Sequence, residues 1–517
     1  MDPTAEQCAI FDHILDPEAG NLQVNAGAGV GKTSTMIEAM RRMPEARRRR
    51  CVYVVFGKDN AREAQERLRG SGVQASTLHS VGFEALREGA PRGIRYKPDE
   101  GKFAAVWRQL ILVDGEEEAF SDVRRLVDLA RSVGIGVLDD APDEVATWRR
   151  LAETHEIMGP GDVTLDRLVD IARMVLRDMI ALARKGVIDF TDMIYLPLHP
   201  AFHARFYTRW GDILVDEDQD LSPVQVELVW RMGGPSARYS FVGDRLQSIY
   251  GWRGAGANMV DYIRDRFACR ELPLSTCWRC GSSIVAAAQA YSPTLRAAPN
   301  ASAGEVVRVP PDQGLTVPDG VMVLCRTSAP LVRQCMALLA AGRRATVKGK
   351  DIGRSLAALV RAAVKRSKAT TITAAVEAVR DDVAEITAKA LGQGHDVRAA
   401  NLADREAAVR AIAERLPGAA KPAELIRAID DLFSDLARAP SKGVLFCTIH
   451  KAKGAEADEV WWMDPHRTCL SAASRAAVLD EDQPDPWQAV QEDNCKYVAI
   501  TRARRRLVML AEDSLQA

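Results

Sequence analysis

Two short stretches of this sequence hold residue types that together can transfer a phosphoryl group. The first is Asn25-Ala26-Gly27-Ala28-Gly29-Val30-Gly31-Lys32-Thr33-Ser34, which follows an apolar run (Leu22 to Val24) and precedes a helical one (Thr35 to Arg42). Small residues here let consecutive backbone amides fold around phosphate oxygens, and the helix behind them adds positive potential at its N-terminus. Lys32 is then placed to reach the β and γ phosphates of ATP, and Thr33 to ligate Mg²⁺. Ala26 stands where the strict G-x-x-x-x-G-K-[ST] spacing has its first glycine, and Gly27, Gly29 and Gly31 supply the missing flexibility. The plainer alternative, a glycine-rich turn that happens to end in Lys-Thr, leaves a second stretch unexplained.

That stretch is Ile213-Leu214-Val215-Asp216-Glu217-Asp218-Gln219-Asp220, an apolar run that ends abruptly in carboxylates. In a parallel sheet the chemistry gathers at the C-terminal ends of the strands. Asp216 is placed to hold Mg²⁺, and Glu217 to orient and deprotonate an attacking water, because phosphoryl transfer needs positioning and charge stabilisation more than covalent help. Asp218 and Asp220 read as a solvated acidic turn.

Short apolar, β-branched runs alternate with helical patterns along the chain: 22–24, 51–56, 212–215, 239–242, 321–324, 444–447 and 459–463. That rhythm predicts an α/β fold with parallel sheets covered by helices. It also predicts two cores, one from 1–85 with 191–270 and one from 271–345 with 441–517. Each is interrupted by a largely helical insertion, 86–190 in the first and the Ala-rich 346–440 in the second. Trp461 and Trp462 sit in a strand pattern and read as core.

At 517 residues several domains are expected, and 47% apolar with 27% charged residues is the balance of a folded chain. A net charge of −1 excludes a whole-molecule electrostatic footprint for nucleic acid, so such a partner would need a local groove. The basic run Arg47 to Arg50 reads as a solvated loop. No apolar run reaches the roughly 20 residues of a membrane span, and the acidic N-terminus is unlike a signal peptide, which points to the cytoplasm and to no membrane partner. The ten cysteines are scattered through apolar segments and read as reduced thiols, including the isolated Cys277-x-x-Cys280 pair.

With these two motifs the chain resembles superfamily 1 helicases of the UvrD/Rep/PcrA type, over nearly its whole length. Such a fold has two RecA-like P-loop cores (1A and 2A), each carrying an insertion (1B and 2B). The resemblance implies that Gln7 reads adenine. It makes the segments Phe56 to Ala61 and Thr77 to Ser80, with Phe56, His79 and Ser80, contacts to DNA. Val242-Gly243-Asp244-Arg245-Leu246-Gln247-Ser248-Ile249-Tyr250-Gly251-Trp252-Arg253-Gly254-Ala255 matches the family's coupling motif. There Gln247 would sense the γ-phosphate while Tyr250, Trp252 and Arg253 meet the strand. Base stacking is worth about 1–3 kcal/mol per base and tolerates any sequence, as a motor requires.

Leu274 to Cys280 resembles the segment in which Trp278 would stack on adenine, with Arg67 on its other side, and Arg279 would contact the γ-phosphate. The family has Asn-Tyr-Arg where this chain has Cys277-Trp278-Arg279. Thr448 to Glu456 resembles the motif in which Thr448 and His450 meet the DNA backbone and Glu456 the ribose. Tyr497 to Arg504 resembles the last motif, with Arg502 as a second arginine finger. Together with Val347 to Gly353, these segments are similar to the branch that includes F-box DNA helicases, without an F-box ahead of the motor.

The resemblance implies an ATP-dependent translocase and DNA helicase moving 3′ to 5′ in repair, recombination or replication, with ATP and Mg²⁺ as cofactors. Its partners would be single-stranded DNA and single/double-strand junctions. A nuclease or repair factor is the expected protein partner, since ten residues after Leu507 leave no room for a fused nuclease. The alternatives are a nucleotide-switched DNA-binding or protein-stripping factor, or the motor subunit of a phage-defence complex, without processive unwinding.

Overall fold

Strands that run parallel need long crossovers, and helices returning over a sheet bury both of its faces, so parallel strands read as unbroken apolar runs. The structure, a computed structural model, follows that rule; it describes residues 2–112, 115–160, 163–206, 210–251, 259–310, 317–392, 395–434, 442–470, 472–478 and 487–510. The chain divides into two units, residues 1–27 with 31–275 and residues 28–30 with 276–517.

The first unit holds a six-stranded sheet of β1 (Leu22–Ala26), β2 (Cys51–Val54), β3 (Gln74–Ser76), β4 (Asp212–Asp216), β5 (Arg238–Gly243) and β6 (Arg270–Leu274). The order is β3-β2-β4-β5-β1-β6 and every pairing is parallel. β2 and β4 are buried along their whole length. The second unit holds a seven-stranded sheet of β7 (Glu305–Val309), β8 (Met322–Cys325), β9 (Ala345–Lys348), β10 (Phe433–Ser434), β11 (Val444–Thr448), β12 (Ala457–Met463) and β13 (Ala503–Leu510), in the order β7-β13-β12-β8-β11-β9-β10 and again parallel. An α/β fold with two parallel-sheet cores is what the sequence predicts.

One expected boundary is corrected. Residues 271–274 were assigned to the second core, yet β6 pairs with β1 from Leu22↔Arg270 to Ala26↔Leu274. Pro273 and two further exposed positions, Arg270 and Glu271, hid this strand, and an edge position is where a sheet tolerates them. The reading of Arg47 as solvated is also corrected. Its guanidinium sits on Asp212 Oδ1 at 2.7 Å and donates to the carbonyls of Ile14 and Leu15. Trp462 is buried as expected, whereas Trp461 is half-buried with its Nε1 on Glu459 Oε1 at 2.6 Å.

The two helical regions are built differently. In the first unit, helices Phe120–Val133, Val145–Thr154 and Leu165–Ala183 enclose their own core of Val123, Leu126, Trp148, Leu168, Val175 and Met179. In the second, helices Lys350–Ser367, Ile372–Gly392, Asp396–Ala413 and Pro422–Leu432 share one core with the sheet, Leu356, Val360 and Leu425 packing with Val323, Val347 and Phe446. Among the described residues, no helix is long and apolar enough to cross a membrane.

A buried charge cluster ties the first helical region to the turn that follows it. Arg131 Nη1 donates to both oxygens of Asp189 at 2.8 Å and to Asp192 Oδ1 at 3.0 Å, and the buried Lys102 pairs with Asp192. Asp189 and Asp192 accept each other's backbone N–H, closing a turn with Phe190 at its outer side, 40% exposed. Removing one partner of such a cluster strands the others in a medium that cannot solvate them. Arg131→Met is expected to cost about 3–5 kcal/mol, measured as a lowered urea midpoint; an unchanged midpoint would show that the cluster does not hold the turn.

Candidate nucleotide-binding site

The loop after β1 turns through two left-handed glycines, Gly29 (φ 68°) and Gly31 (φ 81°), and Gly31 caps the helix Lys32–Arg42. Side chains would strain both positions, which is why the loop is glycine-rich there. Ala26 is buried at the end of β1, and Ala28 and Val30 are fully buried. The amides of this loop and Lys32 thus emerge at the C-terminal edge of the sheet, and β4 delivers Asp216 and Glu217 to the same edge.

These two segments meet, and a third, Asp244 to Gln247 after β5, joins them. Lys32 Nζ is shielded from solvent and lies 3.2 Å from Glu217 Oε1, an ion pair with no acceptor aligned to its N–H groups. Burial disfavours the ammonium, but the carboxylates of Glu217, Asp244 and Asp216 outweigh it and hold the group above its ordinary pKa. Thr33 Oγ1 donates to Asp216 Oδ2 at 2.9 Å. Burial, then the charge of Glu217, pushes the Asp216 carboxyl up, against the pull of Lys32, Tyr53 and Thr33. Gln247 Nε2 donates to Asp244 Oδ2 at 2.6 Å, so this residue too is joined to the cluster.

Glu217 adopts a left-handed backbone, φ 56° and ψ 46°. A non-glycine residue held there stores about 1–3 kcal/mol of strain, a feature that clusters at functional sites. Its backbone N–H donates to Asp216 Oδ1 at 3.0 Å. Asp218 is no solvated turn residue: it is 1% exposed, accepts from Gln23 Nε2 at 3.0 Å, and burial pushes its carboxyl up to about 7.

Around this centre, Gln7 closes a capping box with Thr4 and donates Nε2 to Thr35 Oγ1 at 3.0 Å, while Arg67 Nη2 donates to Ser34 Oγ at 2.9 Å. Phe56 is 42% exposed. His79 lies edge-on to Phe190 with ring centroids 5.9 Å apart, and Lys58 Nζ stands 5.2 Å from the Phe190 centroid. Burial and nearby Lys58 hold His79 below the ordinary imidazole range, so it is uncharged at neutral pH. Ser80 lies one turn into the helix Leu78–Glu88, its N–H on the Thr77 cap. Tyr250 is partly exposed, and Trp252 and Arg253 lie outside the described residues.

In the second unit Arg279 Nε lies 2.5 Å from Glu456 Oε2, and Arg504 pairs with the other oxygen of that carboxylate. Both arginines hold Glu456 below the usual carboxylate range although burial opposes them. Trp278 beside them is partly exposed. Arg502 is only 1% exposed and donates to the carbonyls of Val498 and Ala455 and to Thr501 Oγ1. Thr448 is buried and caps the helix Ile449–Ala452, and His450 Nε2 lies 3.8 Å from Cys495 Sγ. Cys277 and Cys280 are buried free thiols.

Three residues of this surroundings carry no signal in the sequence. Tyr53 Oη donates to Asp216 Oδ2 at 2.5 Å from inside β2, Gln219 contacts Glu217, and Phe190 faces outward. A tyrosine within an apolar strand reads as core, and only the pairing of β2 with β4 brings its hydroxyl to Asp216.

A parallel sheet with a phosphate loop after one strand and paired carboxylates at the end of another defines a P-loop nucleoside-triphosphate-binding fold. Residues 9–133 and 147–268 match the UvrD/REP helicase N-terminal domain. DNA helicase II of Haemophilus influenzae is 24% identical over 300 residues, 52% of this chain and 37% of that protein. The ATP-dependent DNA helicase Rep of Salmonella typhimurium is 28% identical over 293 residues, 53% of this chain and 41% of its own length. F-box DNA helicase protein 1 of Schizosaccharomyces pombe is 25% identical over 293 residues, 54% and 32%, so the F-box branch is not singled out. By that match residues 9–133 and 147–268 belong with the N-terminal domain of UvrD/Rep-type helicases, and the chain spans about two fifths or less of the length of these relatives.

Deleting the hydroxyl that braces Asp216 removes a charge-assisted hydrogen bond in a buried place. Tyr53→Phe is expected to lower stability by about 1–3 kcal/mol, read as the shift in urea midpoint; no shift would mean the bond contributes nothing.

Proposed function

We propose that this chain is an ATP-driven motor on single-stranded DNA, a DNA helicase that translocates 3′ to 5′ and engages single/double-strand junctions. The observation that carries the reading is the meeting of Lys32, Thr33, Asp216 and Glu217 at one edge of a parallel sheet. Lys32 has N–H groups without aligned acceptors, as a phosphate-binding ammonium needs. Thr33 and Asp216 are the hard oxygen donors that would hold Mg²⁺, which when bound neutralises charge on the phosphates. Glu217 is the group that orients water and takes its proton.

The strand would lie on Phe56, His79, Phe190 and Tyr250, whose flat faces hold bases without regard to sequence. With a net charge of −1, grip must come from this local surface rather than from a global field. Direction of movement rests on the motifs shared with the helicase family.

Steady-state ATP hydrolysis at low salt, with and without single-stranded DNA, tests the motor. Strong stimulation is expected, and bound nucleotide without stimulation would favour the switch reading instead. Glu217→Gln is expected to lower turnover by about 100-fold or more, as loss of a general base does, while fluorescent ATP still binds; normal turnover would overturn the assignment. Phe190→Ala should weaken binding of an oligothymidylate by about 1–3 kcal/mol and leave DNA-free hydrolysis unchanged. Unaltered affinity in fluorescence anisotropy would remove Phe190 from the strand path.

A further inference from the structure

We propose that Gln219 is a positioning residue that couples the stretch 244–250 to the water-orienting Glu217. The inference rests on the reading of Glu217 as the hydrolytic carboxylate.

Gln219 is 1% exposed and sits two residues beyond Glu217 in the short turn Asp218–Asp220. Its amide spans two segments: Nε2 donates to Glu217 Oε2 at 2.5 Å, and Oε1 accepts the backbone N–H of Asp244 at 3.0 Å. Its own carbonyl accepts from Ser248 Oγ at 3.4 Å. A primary amide has one donating end and one accepting end, and a backbone N–H can only donate. The Asp244 N–H therefore fixes which way the amide faces, and the NH₂ group must point at Glu217.

The contact requires close approach. A Cβ on Gly243 would lie 2.3 Å from Gln219 Oε1 and 1.8 Å from Asp218 Oδ1, so only glycine lets the acidic turn lie on the end of β5. Beyond it, Asp244 holds both Gln247 Nε2 and the Leu246 N–H, so residues 244–247 move as one body. Tyr250 follows three residues later. A strand engaging this stretch would shift Asp244, and a single buried side chain passes that shift to Glu217.

The two oxygens of Glu217 divide the work. Oε1 faces Lys32 and Oε2 faces Gln219. When a triphosphate draws Lys32 away, Gln219 keeps its hold, and the plane of the carboxylate relative to an attacking water is then set by residues 244–248. Small misplacements of a catalytic group are costly to rate while leaving binding intact.

The test compares Gln219→Met, of similar length and volume but without the amide, and Gln219→Leu, which fills the same space and can neither donate to Glu217 nor accept from Asp244. For the full chain, kcat and KM for ATP are measured with and without oligothymidylate, alongside fluorescent-nucleotide affinity and thermal melting. Expected are nucleotide affinity and KM within about twofold of wild type and a DNA-stimulated kcat at least about tenfold lower, equivalent to roughly 1.4 kcal/mol of positioning. The ratio of stimulated to basal rate should shrink in both variants. Folded variants that keep the wild-type ratio, or that lose nucleotide affinity in step with kcat, overturn the proposal. Hydrogen exchange at the Asp244 to Ser248 amides of the wild type supplies a readout that needs no variant: altered protection on adding DNA supports the coupling, and unaltered protection overturns it. A wild-type chain with no DNA-stimulated hydrolysis would instead sink the motor reading itself.

Discussion

Three carboxylates and one ammonium share a place that water barely reaches. Asp216 and Asp244 are buried, Glu217 lies beside them, and Lys32 is the cation that lets negative charge persist there. Carboxylates gathered out of water without a cation would take up protons and lose their ability to hold a metal or activate a water. The parallel sheet makes the gathering unavoidable, because β1, β4 and β5 all end at one edge and each delivers its following residues there. The loop glycines, the cap at Gly31 and the left-handed Glu217 are consequences of fitting these groups into that edge.

The cluster is also incomplete by itself. Lys32 is attracted to three acids yet has no acceptor aligned with its N–H groups, and Asp216 Oδ2 is shared by Thr33 and Tyr53. Groups arranged in this way can exchange partners, as the proposed binding of a phosphate requires. Strain at Glu217 works in the same direction, since a backbone held in a sparsely populated region lies closer to rearrangement than a relaxed one.

The turn that carries Phe190 rests on a separate device. Phe190 stands out because Asp189 and Asp192 on either side of it are drawn inward by Arg131 and Lys102. Buried ion clusters are poor sources of net stability but hold geometry well once formed.

The sequence by itself determined the local chemistry. Lys32 and Thr33 follow a glycine-rich loop, Asp216 and Glu217 end an apolar run, and the alternation of strands and helices fits a parallel sheet, because these features lie within single short segments where propensity and spacing act. Tertiary structure alone decided what depends on segments far apart in the chain. It placed Tyr53 on Asp216 and Gln219 between Glu217 and Asp244, moved Arg47 from a supposed solvated loop onto Asp212, and buried Asp218 against Gln23. It also drew residues 270–274 into the first sheet despite Pro273, since an edge strand needs hydrogen-bond partners on one side only. Side-chain type is read along the chain, but burial and hydrogen-bond partners are set by whichever distant element packs against it, and no spacing rule encodes that.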